Sequence, residues 1–286
     1  MTDPRSTSRA TDVLGAPAAA RRRWVRDAFH TIARRYDLLN HLLSGGVHLL
    51  WKKEAVREAA LTAESVAVDV CCGTGDLLLR MGRILGPRGR AVGIDFAPGM
   101  LAVAATRLAG CAAVGLVCAD AESLPLGGAI ADAVTFAFGL RNVAQPERAL
   151  LEACRILRPG GRLVVLEFGR PRSTLVGGLY DLYSNLIIPR LGGRLSGRPD
   201  AYRYLHDSIR RWPDPDTLAH SIRNSGFEPV WYRSLSGGIA VLHVGIKPGS
   251  GLPTAAQAGA PGDASGTMVR HDGSQSPMQI PDKFGS

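Results

Sequence analysis

The stretch Val68-Asp69-Val70-Cys71-Cys72-Gly73-Thr74-Gly75-Asp76 joins a short β-branched run to a Gly-x-Gly turn and the start of a helical pattern. Gly73 and Gly75 carry no Cβ, so the backbone of such a turn can approach a ligand closely. Twenty residues beyond Gly75, at the end of the next apolar run, stands Asp95. A carboxylate at that point can grip the two hydroxyls of a ribose. The pattern predicts a site for a nucleoside-containing cofactor, with Asp69, Gly73, Thr74, Gly75 and Asp95 around it. A dinucleotide fits poorly, because Leu78 replaces the third glycine of its fingerprint and Asp76 would repel a pyrophosphate on the helix N-terminus. A carboxylate suits a cationic cofactor instead, and S-adenosylmethionine carries both a sulfonium and an ammonium. A plain helix cap is the alternative for Asp76. Farther on, Asp120-Ala121 sets an acceptor for an adenine amino group beside a residue small enough to leave room for the ring, although a polar loop has the same composition. Cys71 and Cys72 read as small side chains at a buried strand end rather than as a thiol site.

These residues need elements to hold them. Five short apolar runs, 65–71, 90–95, 113–119, 131–138 and 162–168, alternate with helical spacing at 76–85, 98–108 and 146–157, the last stopped by Pro159-Gly160-Gly161. Buried runs alternating with helices imply a mostly parallel sheet covered on both faces. The pattern closes with a helix near 214–225 and two runs, 228–234 and 239–246, joined closely enough for an antiparallel hairpin. The expected fold is α/β: a doubly wound, Rossmann-like sheet of seven strands with an antiparallel edge. Two segments lie outside it, a helical one at 24–61 and one at 171–212 rich in Tyr, Leu, Ile and Arg. Additions beyond the carboxyl ends of strands are where such a sheet builds its substrate site.

The 286 residues, 45% hydrophobic and 21% charged, are too apolar for a disordered protein. No run approaches the ~20 apolar residues of a membrane span; the nearest, Thr174 to Leu191, is broken by Asp181, Asn185 and Pro189. Residues 1–22 and 248–286 are small, polar and Pro- or Gly-containing, and are expected to be a disordered leader and tail around one folded unit, 23–247. Five cysteines without a C-x-x-C spacing support neither a disulfide framework nor a metal site, and with no secretory apolar core at the N-terminus they point to the cytoplasm. The net charge of +9 admits nucleic acid or an anionic membrane as partner. No nucleic-acid module is found, and the arginines are spread through leader, insertion and helices.

Beyond the cofactor motif, ordered segments resemble the menaquinone/ubiquinone biosynthesis C-methyltransferase family of class I S-adenosylmethionine-dependent methyltransferases. They are Ile32-Ala33-Arg34-Arg35-Tyr36-Asp37-Leu38-Leu39-Asn40, Phe138-Gly139-Leu140-Arg141-Asn142-Val143, Leu157-Arg158-Pro159-Gly160-Gly161-Arg162-Leu163, Leu166-Glu167-Phe168, Ala201-Tyr202-Arg203-Tyr204-Leu205 with Ser208-Ile209, and Leu242-His243-Val244-Gly245-Ile246-Lys247. The likeness spans nearly all of 24–247. It implies S-adenosylmethionine as cofactor and methyl transfer to a ring carbon of a polyprenylated quinol, either demethylmenaquinol or the benzoquinol precursor of ubiquinone. It also implies cofactor contacts at Thr74, Asp95, Asp120 and Ala121. A serine that often supplies a further contact in that family is Ala137 here, so any contact from that position is through the backbone.

Methyl transfer from a sulfonium needs an in-line nucleophile in a dry site and no metal. A ring carbon becomes nucleophilic when the quinol loses a hydroxyl proton, so the site must favour an oxyanion. Arg141, after the fourth run, is the first candidate to stabilise it, with a structural salt bridge as the alternative; Asn142 is placed to hold a ring oxygen. On the leading helix, which in the family resembles a lid, Tyr36 is a gate and Asp37 a base, unless Asp37 pairs with Arg34 or Arg35. Asn40, Tyr202 and Tyr204 are candidates to line the substrate channel, or to pack. Residues 162–211 hold nine arginines against four acids, interleaved with apolar residues, which reads as a peripheral membrane-surface element or a channel wall. A methyltransferase acting on another small molecule, such as a sterol, and a cofactor-binding scaffold are the rival readings. Oligomeric state, a homo-oligomer included, has no signature in the sequence.

Overall fold

The computed structural model describes residues 13–169 and 199–249, without the side chains of 34, 35, 39, 42, 43 and 199–203. The segment 170–198, which carries most of the basic insertion, lies outside the described residues, as do 1–12 and 250–286. Two helices lead in, α1 (Ala18–Ser44) and α2 (His48–Glu58). Then follow β1 (Val66–Val70), α3 (Asp76–Met81), β2 (Arg90–Asp95), α4 (Pro98–Arg107), β3 (Val114–Cys118), β4 (Ala131–Ala137), α5 (Pro146–Ile156) and β5 (Leu157–Phe168). The chain continues with α6 (Pro199–Arg211), α7 (Pro215–Asn224), β6 (Val230–Leu235) and β7 (Ala240–Ile246).

The seven strands form one sheet in the order β3-β2-β1-β4-β5-β7-β6. All neighbours from β3 to β5 run parallel, and β7 is antiparallel to both β5 and β6. The central strands are buried because both faces are covered: Val68, Val70, Val134, Phe136, Leu163 and Val165 are sealed from solvent. The order reverses between β1 and β4, so their carboxyl ends splay and leave a crevice.

Three expectations shift. The leading helix begins at Ala18, inside the segment expected to be disordered, because Val25 is buried and Arg21 donates to the Arg141 carbonyl at 2.8 Å. The first helix after the Gly-x-Gly turn ends at Met81 rather than near residue 85. The fifth strand begins at Leu157, not 162: Leu157 pairs with Ala131, and a register shift before Ala133 lets exposed Pro159 and Gly160 bulge out without breaking the pairing.

Candidate active site

The crevice between β1 and β4 opens into a cleft. Two sharp turns shape it. Cys71 and Phe138, directly after β1 and β4, have φ of 58° and 59°, in the left-handed region that non-glycine residues seldom adopt. Gly139 must be glycine, since a Cβ there would lie 2.3 Å from the Cys71 Cβ. Both turns border the cleft. Burial pushes the Cys71 and Cys72 thiols up, so neither is poised as a nucleophile.

Of the cofactor residues expected from the sequence, Gly73, Asp95, Asp120, Ala121 and Ala137 converge on this cleft. Asp95 closes β2, and its carboxylate accepts the Gly73 and Ala97 N–H groups, each at 2.9 Å. Burial raises its pKa, and these backbone donors offset part of the effect. Asp120 accepts the Glu122 N–H at 3.0 Å, which folds its loop against the rim. Ile94, Phe96, Met100 and Val143 supply apolar wall. An acid at the end of β2, small residues at 121 and 137 and flat apolar surfaces fit a nucleoside with a cationic group.

The other expected cofactor residues do not line the cleft. Asp69 is buried in the sheet, where the Thr135 hydroxyl donates to it at 2.6 Å, and burial raises its pKa to about 7. Gly75 sits at φ 83° and precedes α3, packed so that a Cβ would meet Leu108 at 3.1 Å. The Thr74 hydroxyl donates to Asp37 at 2.6 Å. Asp76 makes no helix cap. Burial works to raise its pKa, but Lys52 at 2.6 Å and Arg107 at 2.5 Å outweigh that and hold it at about 2.

The acceptor candidates divide. Tyr36 and Asn142 line the cleft. The Arg141 guanidinium does not: it is 4% exposed, donates to Glu167 at 2.8 Å and to the Phe138 carbonyl at 2.5 Å, and lies 5.0 Å from the Phe168 ring. The salt-bridge alternative is the one realised. Asp37 pairs with Arg107 at 2.8 Å, which leaves it committed rather than free as a base. Asn40 is half-buried and away from the cleft wall. Tyr204 is buried against Trp24, ring centroids 4.9 Å apart. Tyr202 lies in α6, but its side chain is outside the described set.

Two residues that line the cleft, Arg22 and Phe29, went unnoticed in the sequence. Arg22, Phe29 and Tyr36, spaced by seven on one face of α1, all border the cleft. Arg22 spans Asp120 at 3.2 Å and Glu122 at 3.0 Å. A seven-residue spacing of cleft-facing side chains was a usable signal, but drawing the leader to residue 22 cut its first member off.

A model of the ubiE/COQ5 methyltransferase family matches residues 18–247. The chain belongs to that family. Its curated relatives include the ubiquinone/menaquinone biosynthesis C-methyltransferase UbiE of Azotobacter vinelandii, 42% identical over 87% of this chain and 100% of its own length. The UbiE of Stutzerimonas stutzeri is 41% identical over the same shares. Among solved structures, a SAM-dependent methyltransferase from Thermotoga maritima superposes with a TM-score of 0.55 at 23% identity, over 78% of this chain and 99% of its own. The cyclase SpnF reaches 0.54 at 20% identity, over 70% and 80%. Such neighbours establish the sheet and not the reaction, since one of the two is a cyclase. The ubiE/COQ5 match begins at the first residue of α1 and ends just after β7, so the helix that roofs the cleft belongs to the family unit.

Proposed function

We propose that this methyltransferase moves a methyl group from S-adenosylmethionine to a ring carbon of a polyprenylated quinol, with demethylmenaquinol as the acceptor. The observation that carries the reading is the family match along the whole folded chain. The curated relatives are named for ubiquinone and menaquinone together, so a benzoquinol acceptor is the second arm of the test. When bound, S-adenosylmethionine supplies an electrophilic methyl group on its sulfonium. Asp95 orients the ribose hydroxyls, and Ala121 and Ala137 leave room for the nucleoside. Phe29, Phe138 and Met100 exclude water, which strengthens every electrostatic interaction inside. Asn142, on the cleft wall, holds a ring oxygen, and Tyr36 closes the acceptor side. Arg141 acts from behind: by anchoring to Glu167 and the Phe138 carbonyl it fixes the turn that presents Asn142. The acceptor must be the reduced quinol, because the quinone ring is too electron-poor to attack.

No described helix is long and apolar enough to cross a membrane. The acceptor's prenyl tail and the basic, apolar composition of 162–211 support delivery at an anionic membrane surface; failure of the full chain to float with anionic liposomes at low salt counts against this.

The deciding assay offers labelled S-adenosylmethionine with reduced demethylmenaquinol and demethylated benzoquinol in parallel, and Asp95→Ala as control. Label in the naphthoquinol alone is the expected result. Label in both means a shared enzyme. Label in neither, with S-adenosylhomocysteine still binding, sinks the quinol reading and favours another acceptor.

A further inference from the structure

Next to the cleft, outside its wall, four charged side chains from four elements meet in one cluster. Arg107, the last residue of α4, uses one guanidinium nitrogen to donate to Asp37 of α1 at 2.8 Å, to the Thr74 hydroxyl at 2.9 Å and to the Thr74 carbonyl at 3.0 Å. Its other terminal nitrogen donates to Asp76 of α3 at 2.5 Å. Lys52 of α2 donates to the second Asp76 oxygen at 2.6 Å. The Thr74 hydroxyl spends its only proton on Asp37, at 2.6 Å. Two cations face two carboxylates, so the cluster is balanced in charge.

The neighbours of these residues in the chain give the cluster its meaning. Thr74 follows Gly73, and Asp37 follows Tyr36; Gly73 and Tyr36 both line the cleft. The glycine turn is therefore fixed at two points, by Asp95 on the Gly73 N–H and by Arg107 on the Thr74 carbonyl. The same guanidinium holds α1, one turn of which carries Tyr36. We infer that Arg107 is a positioning residue for methyl transfer: it locks the glycine turn of the donor site to the helix that brings Tyr36 to the acceptor side. A lysine could not replace it, because a single ammonium lacks the planar fork that reaches Asp37, Thr74 and Asp76 together.

The inference rests on reading the cleft as the donor site and is independent of which quinol is methylated. The test uses the full chain with S-adenosylhomocysteine as probe, by calorimetry, and amide hydrogen exchange of 32–41 and 71–76 without ligand. Arg107→Met is expected to weaken binding about tenfold and to speed exchange in both segments, with Arg107→Lys recovering only a minor part. In turnover, the KM for the donor rises more than the kcat falls. Should Arg107→Met not fold, Asp37→Asn removes the α1 arm alone; faster exchange in 32–41 with a smaller loss of affinity is then expected. A folded Arg107→Met, or Asp37→Asn in its place, with binding within twofold of wild type and unchanged exchange overturns the inference while the donor reading stands. Wild type that binds no S-adenosylhomocysteine overturns the donor reading and the inference with it.

Discussion

The two flanks of the cleft are built differently. On the donor flank, formed by the ends of β1, β2 and β3, the chemistry follows directly from local turns: Gly73, Asp95, Asp120 and Ala121 each come at or just after the end of a strand and meet in one place. On the acceptor flank, the charged residues with the most suggestive positions are consumed by partners. Arg141 is paired with Glu167, 26 residues away, and Asp37 with Arg107, 70 away. A strand end points its residues at the crevice by topology, whereas a charged side chain goes wherever its counter-charge lies. The donor flank is thus laid out by backbone, with Arg22 on Asp120 and Arg107 on the Thr74 carbonyl as added ties, and the acceptor flank by pairing.

The sharpest attempt to break this contrast is Arg141→Ala. If pairing sets that flank, the variant leaves Glu167, 1% exposed, as an uncompensated buried charge. Removing one partner of a buried pair costs about 3–5 kcal/mol, and the urea midpoint should fall accordingly. Adding Glu167→Gln should restore much of it. A single variant as stable as wild type, yet dead in turnover with S-adenosylhomocysteine binding intact, would instead put Arg141 on the acceptor.

A buried charge also tests the donor flank. Asp69, an expected cofactor contact, lies beneath the cleft with a pKa raised from 3.8 to about 7. The folded state holds that proton more tightly than the unfolded chain does. The stability this contributes is complete below about pH 3.8 and is lost as pH rises through about 7. Asp69→Asn keeps an oxygen to accept from Thr135 and removes the titration. The stability difference between variant and wild type should therefore move in the variant's favour by about 2–3 kcal/mol from pH 5 to pH 8, measured by urea unfolding. His48 and His243, held neutral by burial with pKa lowered to about 4, lose stability in the other direction as pH falls below 6.5. They are common to both proteins and cancel in the difference. A flat difference across this range would mean that Asp69 is ionised within the fold.

What was legible in the sequence follows the same division. The strands were readable because apolar runs are local, and 90–95 was matched residue for residue by β2. The glycine turn and Asp95 were readable for the same reason. The start of α1 was not, since Arg21, Arg22 and Arg23 have the composition of a solvated leader, and the partners of Arg21 and Arg22, the Arg141 carbonyl, Asp120 and Glu122, lie about 100 residues or more along the chain. The start of β5 was hidden by Pro159-Gly160-Gly161, a stop signal that a bulge accommodates. Nothing in the spacing of Asp37, Thr74 and Arg107 announces that they touch.

Within the donor flank, Asp95→Ala should have the largest effect on binding. Hydrogen bonds to a charged group contribute ~1.5–3 kcal/mol, so affinity for S-adenosylhomocysteine should fall about 10- to 100-fold. Asp95→Asn should lie between, because it keeps an acceptor for the Gly73 N–H.

The smallest effect sharpens the contrast most. Ala137 ends β4 and lines the cleft, at the position where the resembling family often has serine. It packs against two apolar clusters of the core and pairs through its backbone with Leu166 of β5. If strand-end topology alone aims side chains into the donor site, Ala137→Ser should place a hydroxyl against the cofactor. A neutral hydrogen bond contributes ~0.5–1.5 kcal/mol, so affinity should rise about two- to tenfold in calorimetry, with the urea midpoint unchanged. Unchanged affinity would mean that the new hydroxyl turns back to the protein, and that even a strand end on this flank obeys its local partners before the crevice.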